Sequence, residues 1–159
     1  MNKIGGSRRA LEMCRDMWTW MAEHPGAEKH EWPWWELWTS PAHPMGWCPC
    51  CQWARVESAN GTCEACPIPC TSWLPTCSSD EIFACATKGS PYDRWGMKMA
   101  LLASAVRAGR QEAIDAALYD VAESARAVAG LAVAALEEMD RRIEERGQRE
   151  EGEAQDSEE

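Results

Sequence analysis

Eight of the nine cysteines fall between positions 48 and 85, a stretch also broken by Pro67, Pro69 and Pro75 and by the turn "ANG" at 59 to 61. Breakers at that density leave room only for short pieces of structure, so something other than a large apolar core must hold this part of the chain. The spacing names a candidate. Cys48 and Cys51 form one C-x2-C pair, Cys63 and Cys66 form a second, and the eleven residues "QWARVESANGT" lie between them. In a C-x2-C turn both sulfurs point to one side of a small loop, and two such turns face to face supply four thiolates in the tetrahedral array that suits zinc. Metal binding worth about 10 kcal/mol then substitutes for the missing core. The expected ligands are therefore Cys48, Cys51, Cys63 and Cys66, around a structural zinc.

The surplus thiols are harder to place. Cys50, Cys70, Cys77 and Cys85 can substitute for a ligand, make a second site with His43, or simply pack, while Cys14 stands apart in the sequence. An odd total fits poorly with a secreted disulfide scaffold. The apolar letters of Leu11 to Met21 are interrupted by Glu12, Arg15 and Asp16, so no secretory segment is expected and the thiols should stay reduced. "WCPCC" at 47 to 51 has the W-C-x-x-C look of a dithiol oxidoreductase, but that motif needs a strand before it and a helix after it, and "TSPAHPM" is no strand. "CEACPIPC" resembles an iron–sulfur run, and iron suits four thiolates as well as zinc does. Zinc is preferred because nothing else in the chain points to electron transfer.

Outside the cysteine segment the patterning is helical. Ala10, Leu11, Met13, Cys14, Met17, Trp18, Trp20 and Met21 give an apolar face wider than half a cylinder, with Ser7 placed to cap the helix and Pro25-Gly26 to end it near His24. Pro25, Pro33, Pro41 and Pro44 then interrupt a Trp-rich loop, with one helical turn expected at 34 to 38. Its "PWWELW" reads as packing over the metal module and the first helix rather than as an exposed platform. From Trp95 the chain predicts a helix ending at Gly109, started by Ser90 and Pro91, and a longer one from Gln111 to Glu145. In the longer helix Ile114, Leu118, Val121, Ala125, Val128, Ala132, Ala135 and Met139 step by four and three, the spacing of a packed helical hairpin or coiled coil. Alanine at several of these seats implies close helix approach. The seam can be satisfied within one chain or between two, so a homo-oligomer through the C-terminal helix is compatible with it.

Charge narrows the choice of partner. Residues 1 to 100 carry 9 basic and 11 acidic side chains, whereas residues 101 to 159 carry 7 and 15. Nucleic acid is thus an unfavoured partner, since phosphate binding draws on clustered cations, and only a stripe of Arg8, Arg9, Arg15, Arg55 and Arg94 would restore it. The longest apolar run, "AVAGLAVAAL", has ten residues against the roughly 20 of a membrane span. The three histidines fall in loops, and no nucleophile with a partnered base, phosphate loop or catalytic carboxylate pair is visible, so an enzyme is not expected.

Five pieces of the chain also carry a family resemblance: "MWTWMAEHPGAEKHEWPWW" (17 to 35), "CPCCQWA" (48 to 54), "CEACPI" (63 to 68), Cys77 and "SPYDRW" (90 to 95). In order and spacing they resemble a group of small cysteine-rich proteins of phages and prophages. The resemblance implies phage origin, a cysteine-held metal, and the cytoplasm of the infected bacterial host as the place of action. It adds Cys77 as a reserve ligand and leaves Cys14, Cys50, Cys70 and Cys85 outside its pattern.

The resulting expectation is a mainly α protein with an irregular, metal-stabilised cysteine segment. Residues 1 to 95 form an N-terminal helix, Trp/Pro-rich loop and zinc knuckle, residues 96 to 146 a C-terminal helical hairpin, and residues 147 to 159 a disordered acidic tail. Its function is expected to be non-catalytic binding of a host or phage protein, as in host takeover or counter-defence. The rivals are a nucleic-acid-binding zinc module and a dithiol or iron–sulfur redox protein.

Overall fold

A computed structural model describes residues 6–37, 48–57, 66–68 and 90–156. The described residues are mainly helical, with no strand among them: α1 (Ser7–Glu23), α2 (Pro49–Glu57), α3 (Pro91–Arg107) and α4 (Gln111–Asp156), plus single 3-10 turns at Lys29–Glu31 and Trp35–Leu37.

The long helix is the platform. Val121, Ala125, Val128, Ala132 and Ala135, all seats of the heptad read from the sequence, are buried, joined by Ala122, Ala129 and Leu136. Most of this face shares one core with Ala10, Leu11, Met13, Cys14, Met17, Trp18, Met21 and Ala22 of α1. The alanine seam is therefore filled within one chain by the N-terminal helix. Arg8, at the start of α1, is ion-paired with Asp140, whereas Gly26, just past its end, lies near Leu118, so α1 runs antiparallel to α4. On a second face α3 packs antiparallel to α4, and the Lys98 Nζ lies 2.6 Å from the Asp120 carboxylate across that contact.

Local signals explain most of the boundaries. Ser90 caps α3 by accepting the Asp93 amide at 2.9 Å, with Pro91 at the first helical position. At its other end Gly109 adopts φ +64°, and the bonds from Gly109 N to Val106 O (3.0 Å) and from Arg110 N to Ala105 O (3.3 Å) close the helix in the paired pattern that needs a left-handed residue. After α1, Gly26 at φ +95° is the third residue of the turn His24–Ala27, closed by the bond from Ala27 N to His24 O (3.0 Å), and it lets the loop turn tightly against Leu102 and Leu118.

Three boundaries differ from the sequence expectation. Gly6, not Ser7, occupies the cap of α1, and no side chain caps that end. Within the cysteine stretch α2 forms a nine-residue helix. Pro49 suits its first position, and the Cys48 carbonyl accepts the Gln52 amide at 3.1 Å. Finally, α4 continues to Asp156, into the segment read as an acidic tail. Its Glu, Arg, Gln and Ala residues are strong helix formers that propagate a helix already nucleated by packing. Residues 140 to 150 are all exposed, so this end projects beyond the bundle.

Candidate metal centre

The first C-x2-C pair is built by the start of α2. Cys48 precedes the first turn and Cys51 lies within it, which brings their sulfurs to 3.4 Å. Two sulfurs bound to one zinc at about 2.3 Å in a tetrahedron sit about 3.8 Å apart, so this pair fits an ion with a small opening movement. Cys48 is buried, whereas Cys51 and Cys66 are half-buried and packed against the core of α1 and α4. Cys63 and the reserve Cys77 lie outside the described residues, as do Cys70, Cys85 and His43. Among the described residues no three Cys, His, Asp or Glu side chains are already arranged around a common ion position.

The unexpected member is Cys14. The sequence sets it 34 positions before Cys48, but α1 carries it, fully buried, into the same cluster. The thiol of Cys14 first, then those of Cys50 and Cys51, hold the Cys48 thiol well below the usual range against the opposing effect of burial. Cys14 is correspondingly pushed up, chiefly by its hydrogen bond to Cys48, with further contributions from burial and from the charges of Cys48 and Cys66. Burial first, then Cys14 and Cys48, pushes Cys50 up as well. A neutral Cys50 thiol is also what the backbone requires, because its sulfur donates to the Ala10 carbonyl at 3.4 Å and so hooks α2 onto α1. The one sequence signal that placed Cys14 in the interior was its position on the apolar face of α1.

One turn further along α1 lies a second polar device. Lys29 is only 7% exposed, and its ammonium sits over three rings, 4.2 Å from the centre of Tyr92, 5.2 Å from Trp18 and 5.3 Å from Trp95. It also donates to the Tyr92 hydroxyl. Trp18 meets both Tyr92 (5.6 Å, 84°) and Trp95 (5.1 Å, 83°) edge-on. A pocket of about 330 Å³ opens beside this box, lined by Trp35 and Met99 among others. The lysine of "HPGAEK" and the Tyr and Trp of "SPYDRW" thus meet in space.

The remaining candidates resolve simply. Arg8 lies beside Asp140 and Glu12, Arg9 beside Glu12, and Arg15 beside Asp16, so the α1 arginines of the conceivable basic stripe are each matched by a carboxylate. The Arg55 side chain lies outside the described residues. His24 stacks on Trp20 at 4.2 Å, and His30 lies 3.1 Å from Glu28. No described helix is long and apolar enough to cross a membrane. No family model, curated protein or solved structure matches the chain.

Proposed function

We propose that the cysteines of residues 48 to 66 hold a structural zinc, and that the protein is a non-catalytic phage accessory factor that acts in the infected bacterial cytoplasm by binding a host or phage protein. The observation that carries this reading is the burial of the thiols. Cys14 and Cys50 are fully buried and Cys48 is 6% exposed, so a thiol or disulfide co-substrate has no approach to these three sulfurs, while Cys51 and Cys66 are half-buried. Redox cysteines need access, whereas structural metal thiolates are closed off. The dithiol rival gains the helix that follows "WCPCC", now observed as α2, but loses on the burial of Cys48, the first sulfur of its motif. Paired α1 arginines weigh against nucleic acid. For a protein partner, α3 offers Met97 (52% exposed) and Leu101 (57%), one turn apart on one face, as apolar contact surface.

Elemental analysis of the purified protein tests the metal, with about one zinc per chain expected from a single four-sulfur site. Zinc near zero with iron absent would remove it. Affinity capture from infected cells tests the partner: one stoichiometric protein is expected, and recovery of oligonucleotides alone would refute that part of the reading.

A further inference from the structure

We propose that Cys14, on the N-terminal helix, is a sulfur ligand of the same zinc ion as Cys48, so that the ion fastens the cysteine segment to the helical bundle. This rests on the reading that the cysteines hold a metal, and it changes the ligand set expected from the sequence.

Geometry carries the assignment. The Cys50 thiol reaches the Ala10 carbonyl at 3.4 Å, and in an α-helix that carbonyl is the acceptor of the Cys14 amide. The start of α2 is thereby docked on the turn of α1 that presents Cys14. Cys14, Cys48 and Cys50 belong to one buried cluster between α1 and α2. Cys50 is diverted to the backbone, so the thiols that remain at this spot among the described residues are Cys14, Cys48 and Cys51, with Cys66 packed against the same cluster.

Zinc needs four donors, and a C-x2-C turn supplies two of them. Cys14 is a third, already delivered by a rigid helix. A simple packing role is common for one buried cysteine, which then behaves as a small hydrophobe among carbon atoms. Here the neighbours are other sulfurs. Gathering several thiols in an apolar interior is unfavourable for any thiolate among them, and a divalent ion reverses that cost. An ion bound by Cys14 and Cys48 also spans α1 and α2, where a self-contained knuckle would leave their docking to the Cys50 hook and apolar contact.

The test uses the intact wild-type chain loaded with a spin-half cadmium isotope, in which each ligating cysteine reveals itself by scalar coupling between the metal and its β protons. Coupling to the Cys14 β protons is expected, together with those of Cys48 and Cys51. A second measurement is the sulfur-to-cobalt charge-transfer band of the cobalt-loaded protein, which should lose about one quarter of its intensity in Cys14→Ala if one of four thiolates is removed. Cadmium couplings at other cysteines with none at Cys14 overturn this inference and leave the metal reading intact. No coupling at any cysteine overturns the metal reading itself, and this inference with it.

Discussion

The Lys29 box offers a stability measurement in which the expected sign follows from magnitudes. Replacing Lys29 by Met keeps the aliphatic stem and removes the ammonium. That loses a cation–π contact worth about 2 kcal/mol when desolvated, mostly from Tyr92 at 4.2 Å, and a charged hydrogen bond worth about 1.5 to 3 kcal/mol. It also removes the cost of burying a charge, several kcal/mol per ion. These terms oppose each other at similar size, so the single substitution is a poor test. The cycle with Tyr92→Phe is a good one, because phenylalanine keeps the ring and deletes only the hydroxyl that accepts from Lys29. We expect a coupling of about 1 to 2 kcal/mol between the two changes, measured by urea unfolding with coincident far-ultraviolet circular dichroism and tryptophan fluorescence transitions. Additivity within about 0.5 kcal/mol would refute a functioning ammonium–hydroxyl bond in the box.

Three further outcomes follow from the bundle. Gly26→Ala places a Cβ 3.3 Å from Leu102 Cδ2 at φ +95°, and should cost about 1 to 2 kcal/mol, a fall of roughly 3 to 6 °C in Tm; an unchanged Tm would contradict the left-handed turn. Ala132→Leu, at a fully buried seat between α1 and α4, should destabilise by about 1 to 3 kcal/mol, whereas Ala134→Leu on the exposed face of the same helix should stay within about 0.5 kcal/mol. Equal effects would mean that the seam is not where α1 packs. The Arg8 hydrogen bond holds the Asp140 carboxyl below its ordinary range, so its contribution is present above the unfolded carboxyl pKa and is lost as pH falls through the folded one. The Tm difference between wild type and Asp140→Asn should therefore be present at neutral pH, shrink with added salt and vanish in acid. A difference that survives at low pH would exclude the ion pair as its source.

What the sequence made legible was whatever local periodicity or capping carries. The heptad of α4, the apolar face of α1 and the Ser90-Pro91 start of α3 each depend on residues within a few positions of one another, and each reappears in the structure. The partner of the α4 seam was not legible, because an apolar stripe states how much surface must be covered and not by which helix. Cys14 and Lys29 were missed for a related reason. Spacing arguments compare cysteines along the chain, and Cys14 joins Cys48 only through the docking of two helices. Lys29 falls in the stretch read as a Trp-rich loop, and its role appears only when Trp18, Tyr92 and Trp95, 77 positions from first to last, are brought around it. The α2 helix was hidden by the weight given to "ANG", Pro67, Pro69 and Pro75, all of which lie beyond its end, while Pro49 at the first helical position favours a helix.

Cys14 and Trp18 are four residues apart on α1, hence on one face and separated by about 6 Å along the axis. The sulfur cluster and the aromatic box therefore grip adjacent turns of a single 17-residue helix. Each tie reaches a different distant segment: Cys14 and the Ala10 carbonyl receive the start of α2, while Trp18 receives the loop through Lys29 and α3 through Tyr92 and Trp95. Apolar contact, with the exposed Arg8–Asp140 pair at one end, fixes α1 against α4, and an alanine seam is permissive about rotation and sliding because its side chains are small and nearly alike. Sulfur and cation–π contacts are directional and few, so they select one register where the seam tolerates several. On this argument the polar devices buried beside the core set the geometry of the bundle, and the apolar seam supplies most of its cohesion.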